Sequence, residues 1–209
     1  CGIIPLLWLR DEKQTGVHCL DIQQNDFDQV NASIKYNNLG DRLTPHLCDL
    51  RKINEEFSAE CFTLVTMNPP YKPVNTGIES LGESARIARH EVCCNIEDAV
   101  KAASYLLTYM GRFCMCHRPE RLVDALAIMR QYKIEPKRLR FVIDKQGEEP
   151  FLFLVEGKKG AKPFLRVEPT LIIKNDESKF TALMPTDMRT KSDNERKTLC
   201  CGYSDRQSR

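Results

Sequence analysis

The 209-residue sequence contains no run of about 18 or more apolar residues, which excludes a membrane-spanning helix. Its longest greasy stretch, Ile3 to Leu9, is interrupted by Pro5. It has neither a basic flank nor a small-residue cleavage pattern, so it does not read as a secretory signal. No charge of one sign dominates: 31 Lys and Arg against 29 Asp and Glu give a net charge of +2, which neither demands nor forbids a nucleic-acid partner. Internal repeats and low-complexity tracts are absent, excluding solenoids and tandem arrays. The ten cysteines include no C-x-x-C pair, only the vicinal Cys93-Cys94 and Cys200-Cys201 and the alternating Cys114-x-Cys116. That spacing is poor for zinc, and no metal site is expected. Without a secretory signal the thiols are expected to be reduced and the protein cytoplasmic. Cys114 and Cys116 read as small hydrophobes on one face of a strand.

What is present suits a soluble globular domain: 42% hydrophobic and 29% charged residues. The length fits one domain, placed over residues 1–188. From about Thr186 the chain turns polar without a periodic apolar face, and 189–209 is expected to be a disordered tail. The chain opens on Cys1 rather than Met and reads as a fragment of a longer product.

Strands and helices alternate in the pattern. Val17–Ile22, Leu43–Cys48 and Cys61–Met67 read as strands, the last almost continuously apolar or β-branched as a central parallel strand should be. Asn25 or Asp26 is expected to cap a helix reaching about Asn38, with Phe27, Val30, Ile34 and Leu39 on one face. Ile96–Met110 reads as a helix ended by Gly111, and Arg112–His117 as the next strand. Pro119 opens a helix with Leu122, Val123, Leu126 and Met129 as its buried stripe. Leu139–Ile143 and Phe151–Glu156 read as a hairpin turning at Gly147, followed by short strands at 165–167 and 171–174. Such alternation implies an α/β fold, a mostly parallel doubly wound sheet with an antiparallel C-terminal strand. Ligands of such sheets sit beyond the carboxyl ends of the strands, which singles out Asp21, Asp49, Asn68 and His117.

Asn68-Pro69-Pro70-Tyr71 follows the third strand directly. Two prolines hold the backbone extended and donate no N–H, so nearby carbonyls stay open as acceptors. The Asn68 side-chain oxygen is another acceptor, and Tyr71 offers a flat face for stacking. Acceptors beside an aromatic platform suit a planar NH₂ group on a π system, such as an adenine amine or a side-chain amide. Accepting its N–H bonds holds that poor nucleophile in place and favours pyramidalisation toward an electrophile.

Asn-Pro-Pro-Tyr resembles the motif of amino-directed, S-adenosylmethionine-dependent methyltransferases, and Gly2-Ile3-Ile4-Pro5-Leu6-Leu7 resembles the end of their glycine-rich first motif. Ala88-Arg89-His90-Glu91, Gly111-Arg112-Phe113, His117-Arg118-Pro119-Glu120-Arg121-Leu122 and Glu135-Pro136-Lys137-Arg138-Leu139-Arg140-Phe141-Val142 narrow the resemblance. Together they are similar to the bacterial tRNA1(Val) adenine-N6-methyltransferase group, over roughly residues 1–188. The resemblance implies a Rossmann-like class I methyltransferase fold and S-adenosylmethionine as cofactor. It implies that Asp21 accepts from the cofactor ribose and Ile22 packs on its adenine. Asp49 accepts from the adenine amine, Leu50 offers its backbone N–H, and Gly2 allows close approach to the methionine part. Asn68, Pro69 and Tyr71 receive the target base, with Asn68 also facing the cofactor. The family has a strand and glycines ahead of the position of Cys1. Without them two neighbouring strands would be unpaired and the cofactor floor incomplete, so the implied activity attaches first to the parent protein.

Between His117 and Lys145 eight basic residues face four acidic ones. Arg118, Arg121, Lys137, Arg138 and Arg140, with Lys72, Arg86 and Arg89 after the motif, are expected to bind RNA phosphates. The expected activity is methyl transfer to N6 of an adenine in the anticodon region of tRNA, by a monomer that touches no membrane. The rivals are a protein-glutamine N5-methyltransferase and an inactive RNA-binding module.

Overall fold

The computed structural model describes residues 2–10, 16–69, 94–174 and 198–202. Helix α1 (Ile3–Trp8) precedes strand β1 (Val17–Asp21) and helix α2 (Gln24–Tyr36). The Asp21 carboxylate accepts from the Gln23 N–H at 3.0 Å, so the chain enters α2 earlier than Asn25 or Asp26 would have capped it. Asp26 instead sits buried in the first turn, where a carboxylate meets the positive end of the helix dipole. Strand β2 (Leu43–Leu47), a 3₁₀ turn at Leu50–Lys52, the short α3 (Ile53–Glu56) and strand β3 (Phe62–Asn68) follow.

Helix α4 (Ile96–Leu106) starts at a capping box, with the Asp98 N–H donating to Asn95 Oδ1 and the Asn95 N–H to Asp98 Oδ2. The helix expected to reach Met110 stops at Leu106, and strand β4 runs over Leu107–His117. Helical spacing misled because Leu107 is fully buried on either reading. The backbone decides the matter: Met110 takes φ 61°, and pairing with β3 jumps from Phe62–Leu107 to Leu64–Arg112, leaving 108–111 as a bulge.

A 3₁₀ turn at Pro119–Arg121 leads into α5 (Leu122–Gln131), which buries Ala125 and Met129. Val123, expected in that stripe, is 78% exposed, because it sits one position off the core-facing i, i+3, i+4 set. Strands β5 (Ile134–Ile143) and β6 (Leu152–Lys159) are antiparallel to each other, and β6 is antiparallel to β4 as well. Strand β5 begins five residues before the expected Leu139, because Lys133 reverses the chain in the left-handed region directly after α5. The two-residue strands β7 (Arg166–Val167) and β8 (Leu171–Ile172) run parallel to β5.

One element contradicts the expected tail. Thr198–Gly202 forms strand β9, parallel to both β1 and β3 and inserted between them. The described strands make one sheet in the order β2-β1-β9-β3-β4-β6-β5-β7, with β8 also on β5. The neighbours expected to be unpaired are therefore bridged. Thr198, Leu199 and Cys200 are buried, and the apolar pair Leu199-Cys200 is too short to register as a periodic face. The rest of 189–209 lies outside the described residues.

Helices cover both faces, as doubly wound topology requires. Leu9, Val17, Cys19, Val30, Ile34, Leu43 and Cys200 pack with α1 and α2 on one face. Leu20, Leu199, Val65, Met67, Leu106, Phe113, Met129 and Phe153 pack with α4 and α5 on the other. Among the described residues no helix is long and apolar enough to cross a membrane.

A charged ladder crosses the β4-β6-β5 region. Glu156 lies between Arg112 (3.7 Å) and Arg138 (3.5 Å), and Arg138 Nε donates to Glu168 at 2.7 Å. That bond holds the Glu168 carboxyl below the usual carboxylate range. A carboxylate depressed in the folded state contributes stability above its unfolded pKa and loses it as pH falls through the folded value. Thermal stability should therefore drop below about pH 4, and Glu168→Gln should flatten that drop in a melting series.

Candidate functional site

The winding of the sheet reverses between β1, which leads outward to β2, and β3, which leads the other way to β4. A crevice opens outside the carboxyl ends of the strands at such a reversal. A cleft of about 200 Å³ lies there. Its walls are Gly2–Pro5 of α1, Cys19–Asp21 of β1, Pro45 and His46 of β2, Phe27 and Val30 of α2, Asn68 of β3 and Cys200 of β9.

Three expected site residues meet here: Gly2, Asp21 and Asn68. Gly2 has φ 65° and its Cβ would lie 2.7 Å from Val30 Cγ2, so any side chain would strain the backbone and clash with α2. Asp21 is steered to the cleft by ending β1 and by its bond to the Gln23 N–H. Asn68 closes β3, and buried Pro69 follows it. The Cys116 thiol of β4 donates to Asn68 Oδ1 at 3.1 Å, fixing the amide so that its oxygen lies beside the strand end. Ile22, next to Asp21, is 37% exposed, an apolar side chain left at the surface beside the cleft.

Among the described residues, Asp49, Leu50 and His117 are not part of the cleft wall. The Asp49 carboxylate caps the 3₁₀ turn and is gripped by the Arg51 guanidinium at 2.6 Å, which holds its carboxyl below the usual range. Leu50 is buried in the core on the opposite face from α1 and α2. Tyr71, Lys72, Arg86 and Arg89 lie outside the described residues. His117 is buried, and its Nδ1 accepts the Arg118 N–H at 2.8 Å, a structural arrangement.

The basic run along β5 is largely occupied by partners within the fold. Arg138 is paired with Glu156 and Glu168, Arg140 Nε donates to the Pro169 carbonyl, and Lys137 donates to the Lys162 carbonyl while covering the Phe164 ring. The local charge excess counted along the sequence is thus met by acids and carbonyls from later in the chain. Arg118 is exposed past the carboxyl end of β4, and Arg121 pairs with Asp124 at 3.2 Å.

Sequence reasoning missed His46, Phe27, Cys19, Cys116 and Cys200 as site residues. His46 Nε2 lies 2.9 Å from His18 Nδ1, and His46 Nδ1 faces Glu56. The Glu56 carboxylate accepts from His46 Nδ1, and one of the two facing ring nitrogens of His18 and His46 donates to the other. Burial pushes the Cys19 and Cys200 thiols up to about 12, so both are neutral, apolar wall groups. The only sequence signal for these residues was strand parity: Cys19 alternates with Leu20, as Cys116 does with Met115.

No protein-family model and no curated protein matches the sequence. Solved structures do match. An Agrobacterium tumefaciens protein described as a predicted O-methyltransferase is 20% identical, with a TM-score of 0.62 over 80% of this chain and 74% of that one. Geranyl diphosphate C-methyltransferase from Streptomyces coelicolor, solved with S-adenosylhomocysteine, is 10% identical, with a TM-score of 0.51 over 76% of this chain and 68% of that one. The fold is therefore the Rossmann-like fold of these methyltransferases, with mostly parallel strands and an antiparallel β6.

Proposed function

We propose that this protein is an S-adenosylmethionine-dependent methyltransferase acting on an exocyclic amine, with N6 of an adenine in the anticodon region of tRNA as its target. The observation that carries the reading is the meeting of Asp21 and Asn68 on one cleft at the reversal point of the sheet.

The residues present suit the cofactor. A carboxylate ends β1 where a ribose needs paired acceptors, apolar Ile22 stands beside it for a planar base, and Gly2 lines the cleft at the start of α1. When bound, S-adenosylmethionine supplies an electrophilic methyl carbon. The chain does the rest. Asp21 accepts from hydroxyls and orients the nucleoside. Asn68 Oδ1 and the Pro69 carbonyl accept from the target NH₂, holding its nitrogen lone pair toward the cleft. Tyr71 stacks on the extruded base. Arg118, exposed past the carboxyl end of β4, is assigned the phosphate contact. The neutral thiols in the wall are not required as nucleophiles, because transfer is direct.

The test is methyl transfer by the full chain, read by mass spectrometry of digested tRNA and of protein in parallel. N6-methyladenosine supports the reading; methyl on glutamine alone overturns the nucleic-acid target, and no transfer to either overturns the enzyme. Asp21→Ala should weaken S-adenosylhomocysteine binding by about tenfold to a hundredfold through loss of charge-assisted hydrogen bonds, measured by calorimetry. Unchanged affinity would remove Asp21 from the site.

A further inference from the structure

We infer that the loop joining β6 to β7 is a second binding surface, remote from the cleft, and that its ligand is single-stranded nucleic acid. The inference goes beyond the methyl-transfer reading and rests on residues which that reading does not use.

Strand β6 is antiparallel to β4, so its carboxyl end lies at the end of the sheet opposite the cleft. Its eight residues set the loop roughly 25 Å from the cleft end. Three contacts fix the loop. The Gly160 N–H donates to the Lys133 carbonyl at 2.8 Å, and Lys137 Nζ donates to the Lys162 carbonyl at 3.1 Å. Gly160 takes φ 71°, and a Cβ there would lie 2.6 Å from Tyr109 Cε2, so a glycine is what lets that ring rest on the loop backbone.

The loop thus carries two aromatic rings that the fold leaves in water: Tyr109 and Phe164 are each 73% exposed. Lys137 Nζ stands 5.7 Å from the centroid of the Phe164 ring, a cation–π contact that steadies it. From Gly160, beneath Tyr109, to Phe164 the backbone reaches at most about 14 Å. Leu165 and Val167 extend the apolar surface past Phe164.

Charge decides what covers it. Between Glu156 and Glu168 the sequence holds Lys158, Lys159, Lys162 and Arg166 and no acid. Both bounding carboxylates are engaged by Arg138, and Glu60 is engaged by Lys159. Lys162 and Arg166 are exposed and form no ion pair among the described residues. Exposed rings interleaved with cations match a phosphate backbone whose bases are open to stack. A duplex hides the faces of its bases, so the ligand is single-stranded.

The experiment titrates the full chain into a short labelled RNA strand, and into DNA of the same sequence, read by fluorescence anisotropy. Phe164→Ala should weaken binding by about tenfold, and Phe164→Trp should preserve it, because stacking needs a ring. Replacing Lys162 and Arg166 together by alanine should reduce the slope of log affinity against log salt by about 1.4, the share of two phosphate contacts on a single strand. Binding of either strand that depends on Phe164 in this way upholds the surface, and the tighter of the two names the ligand. Unchanged affinity in Phe164→Ala, a loss that Phe164→Trp shares, or no binding by the unaltered chain overturns it. A dimer of the unaltered chain that Phe164→Ala dissociates also overturns it, since a second copy then covers the ring. S-adenosylhomocysteine affinity should be the same in all these variants. Absence of methyl transfer beside Phe164-dependent binding would sink the methyltransferase reading and leave this surface standing.

Discussion

Asn68→Ala should lower the rate of methyl transfer by about a hundredfold to a thousandfold, the usual cost of removing one preorganised acceptor or donor at a reacting centre. The side chain closes β3 at the cleft, and its Oδ1 is fixed by the Cys116 thiol at 3.1 Å. An alanine there leaves the backbone acceptor of Pro69 but removes the side-chain oxygen that the proposed function assigns to the target amine. S-adenosylhomocysteine affinity should shift by no more than about threefold, because the proposed function assigns the ribose contacts to Asp21. Transfer rates on tRNA and calorimetry on the same preparation separate the two effects. Equal loss of rate and of probe affinity would contradict the role given to Asn68.

The second large effect is on stability. Glu156→Ala should cost about 3–5 kcal/mol, since it removes the buried carboxylate that two guanidinium groups share in the sheet. Glu156 and the Arg112 side chain are each only 8% exposed, and Arg138 shares the same carboxylate oxygen. For a chain of this size that loss lowers the melting temperature by roughly 6–20 °C. Glu156→Gln should cost less, because the amide oxygen still accepts. A melting temperature within about 2 °C of the unaltered protein would show that the ladder contributes little.

Much of this architecture is written locally. The apolar β-branched run at β3, the alternation in β1 and the proline at the 3₁₀ turn before α5 each announced their element. Where local signals failed, a distant contact had decided. Leu107 fits a helical stripe and a strand equally well, and only pairing with Phe62 and the bulge after it choose the strand. Thr198–Gly202 carries too few apolar residues to be seen, yet β1 and β3 offer it backbone partners on both edges. The acids that occupy Arg138, Glu156 and Glu168, lie outside the stretch where the basic residues cluster. The site divides in the same way. Asp21 and Asn68 were legible because strand ends in an alternating fold converge. Asp49 also follows a strand, but its neighbour Arg51 captures it in the turn that it caps. His46 was invisible, since its place depends on His18 and Glu56 folding against it.

The most direct measurement is a crystal structure of the full chain with S-adenosylhomocysteine bound. It should place the ribose hydroxyls on the Asp21 carboxylate, the nucleoside over the carboxyl ends of β1, β9 and β3, and the sulfur facing Asn68. Density for the ligand elsewhere, or an Asn68 side chain turned away from the sulfur, would contradict the account.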